Sequence, residues 1–418
     1  MALDECLPSD HRARLVWSYV EGLDVGPLYA AIRSVEGGAG RDAVDPRILL
    51  ALWMFATIEG VGSARHLARL CQRDVAYQWL CGGVGVNYHL LADFRTGHGA
   101  FLEGLLTDTV ATLLHQGLVT LDVVAQDGLR VRAHAGSGSF RRRPTLEQRR
   151  QEVQRQLQQL QQGAGPEDQG AEADEDRRDD ARRTAAQLRA ARERAARIAQ
   201  ALAELAKVRQ QKERNKKGSG ENARASMTDP EARTMKMADG GFRPAYNVQF
   251  ATDRDARIIV GVDVTNAGSD AGCASPLHAA VSARYGKTPP CYLMDGGFVT
   301  HDEVTKLEQR GSCVYAPLPA EERMRRLGHD PYARQDKDTD QSFAFRQRMA
   351  TPEAQALYRQ RSSIAEYPNA ECRNRGLHQF RVRGLAKVRT VALWFAVTFN
   401  FLRMISLGCL GQLGGQPN

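Results

Sequence analysis

Residues 141–225 constrain the fold more than any other stretch, because they cannot share a core with what lies on either side of them. They are rich in Gln, Arg, Glu and Ala and almost without aromatic side chains. Apolar residues recur only as a narrow stripe at helical spacing. Val153, Leu157 and Leu160 carry it on one segment; Leu188, Ile198, Leu202, Leu205 and Val208 carry it on a second. A stripe that thin covers one partner helix and little more. The segment is expected to be an antiparallel helical hairpin. Its tip would be Gly163-Ala164-Gly165-Pro166 and the acidic run to Asp180. Any α/β domain in this chain must close across that insertion.

Strand patterns occur on both sides of it. Residues 119–127 are β-rich and close on Asp127; 246–251 alternate like a strand, and 258–264 pair back as a hairpin partner. A helix near 275–285 leads to a second apolar strand, 291–295, closing on Asp295. A helix over 302–310 and a strand over 313–317 follow, and 320–350 read as a charged loop. One helix is expected to carry Tyr358-Arg359-Gln360-Arg361 and Glu366. The last helix, from Val391 to Leu407, falls short of the ~20 apolar residues of a membrane span and is broken by Thr398, Asn400 and Arg403, so it is expected in the core.

Residues 1–117 read as helical. Asp45 caps a helix that starts with Pro46, Ser63 caps 64–73, and Asp74 caps a third helix. Short helices with tight Gly/Ser/Asp turns fit a helix-turn-helix and fit an ordinary small helical bundle equally well. The expected domains are 1–117, a helical DNA-binding domain; 118–140 with 227–418, one α/β domain; and 141–226, the insertion.

Lys and Arg total 57 against 49 acids, a formal charge of +8, which favours an anionic partner. Arg359, Arg361, Arg373, Arg375 and Lys387 crowd the C-terminal region, as a phosphate-binding groove requires. Eight scattered cysteines with no CxxC fit a reduced, cytoplasmic protein. The acidic N-terminus without an apolar stretch is not a signal peptide, and no membrane partner is expected.

The element order, with Asp127, Asp295 and Glu366 in sequence, is that of a ribonuclease-H-like fold: a mixed five-stranded sheet flanked by helices. In it the first and fourth strands are neighbours, so Asp127 and Asp295 would enter one cleft and Glu366 would close it. Three carboxylates are a donor set for hard divalent cations, which prefer oxygen ligands. Asp122, at an odd offset from Asp127, belongs to the opposite face. Asp263 sits within a hairpin, and Glu371 on another face of the late helix.

These residues resemble the DDE transposases of bacterial insertion sequences, in particular those with a tyrosine-arginine-glutamate signature. The likeness rests on Asp127, the Asn247/Gln249 strand, Met294-Asp295-Gly296-Gly297-Phe298, and Tyr358, Arg361 and Glu366. It implies a chain that binds the inverted repeats of its own element, cuts a strand and joins it to target DNA. Asp127, Asp295 and Glu366 would hold two Mg²⁺ ions, with Mn²⁺ as a substitute. Tyr358 and Arg361 would contact double-stranded DNA, Arg359, Arg373, Arg375 and Lys387 would line the groove, and the chain would act as a homodimer near the nucleoid. A catalytically silent, transposase-derived DNA-binding protein is the alternative. In this chain four residues separate Arg361 from Glu366, one more than in the commonest signature. On a continuous helix the extra residue turns Arg361 away by about 100°. The expected downstream Lys is replaced by Arg373 or Arg375.

Overall fold

The computed structural model describes residues 3–32, 43–163, 175–214 and 220–410. Seven helices come first: α1 (Arg12–Glu21), α2 (Gly26–Ala30), α3 (Pro46–Ile58), α4 (Ala64–Arg73), α5 (Val75–Cys81), α6 (Tyr88–Gly97) and α7 (Gly99–His115). Then follow β1 (Val123–Arg132), β2 (Phe140–Arg141), α8 (Arg143–Gly163), α9 (Glu175–Arg214), β3 (Ala225–Ser226), β4 (Arg233–Lys236), β5 (Phe242–Asp253) and β6 (Ile259–Thr265). The remainder is α10 (Ala274–Tyr285), β7 (Cys291–Met294), α11 (His301–Gln309), β8 (Cys313–Tyr315), α12 (Glu321–Arg326), α13 (Asp340–Met349), α14 (Pro352–Arg359), α15 (Arg361–Asn374) and α16 (Leu385–Ser406). The chain divides into two compact units. One comprises residues 1–131, 247–381 and 386–418, the other 132–246 and 382–385.

In the first unit the sheet runs β6-β5-β1-β7-β8. β1 pairs parallel with β7, β7 parallel with β8, and β5 antiparallel with β6. This mixed α/β architecture is compatible with a ribonuclease-H-like fold. The N-terminal helices begin where the sequence places them: the carboxylate of Asp45 accepts from Arg47 N, Ser63 Oγ from His66 N, and Asp74 from Ala76 N and Tyr77 N. Gly60 ends the first of these turns at φ 72°, and Gly376, at φ 99°, lies against it. A Cβ on Gly60 would stand 3.5 Å from the Arg375 carbonyl oxygen, and one on Gly376 would stand 3.5 Å from the Gly60 carbonyl.

α16 is long and apolar enough to cross a membrane, but 78% of its most apolar window is buried inside the protein. Its polar residues have internal partners. Trp394 Nε1 donates to the Arg95 carbonyl (3.0 Å), and Asn400 both donates to and accepts from the backbone of Ile259, at 2.8 Å each. That is a core helix, as its interrupted hydropathy predicts.

The second unit holds the insertion. α8 and α9 run antiparallel, with Leu146 near one end packed with Ala201 and Leu205, and Val153, Ala191 and Ile198 buried farther along. The predicted acidic tip lies largely outside the described residues. β2 pairs with β3, and β4 with the first residues of β5.

Three local expectations are corrected. β1 does not end at Asp127 but continues to Arg132, because buried Leu129 and Val131 keep the strand alternation going. Residues 320–350 contain α12 and α13. Two of the arginines of α13 are paired and buried rather than solvated: Arg346 meets Asp338 at 2.9 Å with both side chains almost fully buried, and Arg348 meets Glu308 of α11 at 2.7 Å. Finally, Tyr358 and Glu366 do not share a helix. α14 ends at Arg359 and α15 begins at Arg361.

Candidate active site

Strand alternation aims the two aspartates. Val123, Ala125 and Asp127 lie on one face of β1, and Leu293 and Asp295 lie on the matching face where β7 ends. Val123, Ala125 and Leu293 pack against Ile364 and Ala365 of α15 in one apolar cluster. The acids are thus the next residues along the face that α15 covers. The register pairs Gln126 with Met294, so Asp127 and Asp295 stand one step beyond the last paired residues. Asp295 caps the short turn Gly296–Phe298, accepting from Gly297 N at 2.5 Å.

Asp127 is the more enclosed of the two. Burial pushes its carboxyl pKa up, and the charge of Asp295 adds to that; Arg361, the Gly128 N–H and the Asn369 amide pull it back down. Asn369 Nδ2 donates to Asp127 Oδ2 at 2.9 Å. Asn369 was not singled out by the sequence reading. Its only signal is its place one turn after Ala365, on the buried stripe Ile364, Ala365, Pro368, Asn369 and Cys372.

Glu366 falls outside that stripe, and its side chain is 58% exposed. It is linked to Asp127 through a cation rather than directly. Arg361 Nη1 stands 3.6 Å from Asp127 Oδ1, and Nη2 stands 3.2 Å from Glu366 Oε1. The guanidinium is 13% exposed, and its Nη1 has no hydrogen-bond partner. Arg361 and Glu366 share α15, and the long Arg361 side chain, at the first position of that helix, reaches both carboxylates across the five-residue offset; the break at Gln360 separates Tyr358 and Arg359 from them. Tyr358 lies beside the same group. Burial raises its hydroxyl pKa, Arg361 opposes the shift, and the charges of Asp295 and Asp127 add to it.

The other basic residues divide. Arg359, Arg373 and Lys387 are exposed. Arg375 is held by Glu371 at 2.8 Å, so it is engaged within its own helix turn. Arg389, farther along, is committed to Glu103. The rivals lie elsewhere. Asp122 pairs with Lys287 at 2.8 Å, and Asp263 is a mid-strand residue of β6 opposite Gln249.

The donor chemistry suits a hard divalent cation. Asp127 and Asp295 repel one another across the strand ends, and the buried Asn369 Oδ1 beside them has no hydrogen-bond partner. Among the described residues, however, no three Asp, Glu, His or Cys side chains stand together as a metal cage. Asp127 and Asp295 form the gathered pair, and Glu366 is held off by Arg361.

Two family models match the chain. Transposase domain (DUF772) matches residues 1–97, and Transposase DDE domain matches residues 319–405. The second match includes Tyr358, Arg361 and Glu366; Asp127 and Asp295 precede it. No curated protein and no solved structure gives a significant match. With one transposase domain matched at each end of the sequence, the two matches support a DDE-type insertion-sequence transposase.

Proposed function

We propose that this transposase binds the terminal inverted repeats of its element, cuts a DNA strand there and joins the freed end to target DNA, with Asp127, Asp295 and Glu366 as its catalytic carboxylates. The observation that carries the reading is the placement of Asp127 and Asp295 side by side beyond a parallel strand pair, beneath the helix that bears Glu366. The three carboxylates would hold two Mg²⁺ ions, or Mn²⁺ in their place. Such ions supply charge neutralisation at the phosphodiester and acidify the attacking oxygen.

The remaining residues act through charge and position. Asn369 orients Asp127. Arg361 neutralises the carboxylates in the free protein, and its guanidinium suits a backbone phosphate once DNA arrives. Tyr358 is placed to donate to the same phosphate. Arg359, Arg373 and Lys387 extend the positive surface. Arg65, Arg69 and Arg73 recur every fourth residue along α4 and are exposed, which supports α4 as the helix that reads the transposon ends. The chain acts on double-stranded DNA as a homodimer in the bacterial cytoplasm, at the nucleoid. The α8–α9 hairpin serves dimer contact or lies along the DNA.

The test is purified protein with an end-containing duplex and Mg²⁺. Strand cleavage that disappears in Asp127→Ala and Asp295→Asn is the expected result. A salt-dependent DNA shift without cleavage under any metal condition would instead identify a silent, transposase-derived DNA-binding protein. Full activity in either variant would remove these residues from the mechanism.

A further inference from the structure

Each of the two aspartates is held by the backbone N–H of a following glycine: Gly128 N–H supports the Asp127 carboxylate, and Gly297 N donates to Asp295. A third carboxylate packs close over Gly128 and stands near Gly297. A Cβ on Gly128 would stand 2.3 Å from Asp270 Oδ1, and a Cβ on Gly297 would stand 3.7 Å from Asp270 Oδ2. Asp270 comes from the loop between β6 and α10, and nothing in the sequence marks it.

The Asp270 carboxylate is itself fixed from three directions. Oδ1 accepts from Asn247 Nδ2 at 2.7 Å and from Gln249 Nε2 at 2.9 Å. Oδ2 accepts from Arg130 Nη2 at 3.1 Å. The network continues beneath the site: Gln126 Nε2 donates to Gln249 Oε1 at 2.8 Å, and the Tyr292 hydroxyl donates to Gln126 Oε1 at 2.6 Å. Gln126, Asn247 and Gln249 are completely buried. A polar layer at that depth is costly unless nearly every group is paired. Two groups are not: Arg130 Nε and Asn247 Oδ1 are buried without a hydrogen-bond partner, and Asn247 Oδ1 would stand 3.0 Å from a Cβ on Gly128. That layer lies on the face of β1 that carries Gln126, Gly128 and Arg130, opposite the face that carries Asp127, so Asp270 reaches the site from beneath, through the backbone of the glycines.

We propose that Asp270 is a positioning residue of the active site, which sets the separation of Asp127 and Asp295 by bearing on Gly128 and Gly297. It rests on the reading that those two aspartates hold divalent cations. Asp270 acts through the two glycines, its own oxygens being occupied by Arg130, Asn247 and Gln249. Asp270→Ala removes the buttress, and Asp270→Asn keeps its shape but replaces one acceptor oxygen with a donor among three donors.

The experiment uses the full chain and three measurements: metal-free binding of an end-containing duplex, calorimetric titration with Mn²⁺, and single-turnover cleavage in Mg²⁺. Both variants should bind DNA within about threefold of the wild type. Each should lose about tenfold or more in Mn²⁺ affinity and about a hundredfold in cleavage rate. A folded variant that keeps wild-type Mn²⁺ affinity, even with a lowered melting temperature, overturns the proposal and leaves Asp270 a structural residue. Where Asp270→Ala does not fold, the near-isosteric Asp270→Asn gives the reading. Wild-type protein that neither binds Mn²⁺ nor cleaves would defeat the metal assignment of Asp127 and Asp295 instead, a failure seen before any variant is made.

Discussion

The strand half and the helix half of this site are built differently. Asp127 and Asp295 sit over a buried polar layer, each held by a backbone N–H, on strands locked by a parallel register. Glu366 projects from the exposed edge of α15, and the residue joining it to Asp127 is a long arginine at the first position of that helix. One half is preorganised and the other is adjustable. In the free protein Arg361 stands between the two carboxylates, so under the proposed function DNA phosphate and metal would compete with it or recruit it. The difference teaches that the strands fix the geometry, which leaves the helix as the half that would respond to ligand under the proposed function.

Replacing an acid on the rigid half should have the largest effect. Asp127→Asn or Asp295→Asn should lower single-turnover cleavage by at least about 10³-fold, roughly 4 kcal/mol of transition-state stabilisation, with DNA binding retained. Comparable activity in Asp295→Asn and wild type would break the division. On the adjustable half, Arg361→Ala should cost about 10²-fold in cleavage and weaken DNA binding as well. An effect on cleavage alone would show that Arg361 never leaves the carboxylates.

The packing that joins the halves gives a third handle. Ile364→Ala removes the side chain through which α15 sits on Val123, Ala125 and Leu293, and should destabilise the protein by about 2–5 kcal/mol in denaturant unfolding. No loss of stability would mean that α15 is not seated on the strands.

The pH dependence of Asp127 follows from its burial. Its carboxyl pKa is raised in the folded protein, so ionisation there costs stability at neutral pH, and the cost disappears as pH falls through the raised value. Asp127→Asn should therefore melt about 1–3 °C higher than wild type at neutral pH in the absence of metal. That advantage should vanish once the pH drops below the ordinary aspartate range. A variant that melts lower at neutral pH would show that the Arg361 and Asn369 contacts outweigh desolvation. The smallest effect is expected at the rim: Lys387→Ala should reduce the salt dependence of DNA binding by about one ion and leave cleavage of bound DNA unchanged.

Much of the rigid half is legible in the sequence, because strands announce themselves by alternation. The runs containing Val123–Asp127 and Cys291–Asp295 show their acids directly, and their pairing follows from element order. What alternation does not reveal is the support beneath. Asp270 lies in a loop, and only the folded chain brings it against Gly128 and Gly297. Asn369 is equally silent, a polar residue on the buried side of a helix whose outward Glu366 attracts the eye. On the adjustable half, helical phase alone turns Arg361 away from Glu366, whereas the length of the arginine side chain lets it meet both acids; the break at Gln360, which sets Tyr358 on a separate helix, has no signal in the sequence. Charge also concealed α13, where Arg346 and Asp338 look solvated in the sequence but are buried against each other.

Asn400 gives the late helix a second consequence. β6 pairs with β5 on one side, and at Ile259 its N–H and C=O are both taken by the Asn400 amide. The side chain imitates a neighbouring strand for one residue. An outer strand with free backbone groups is a template on which another chain can add itself. By occupying that position from within an apolar helix, Asn400 leaves Ile259 no free backbone group for such an addition. Closing a strand edge, as well as satisfying its own amide, is what a polar residue does at that place.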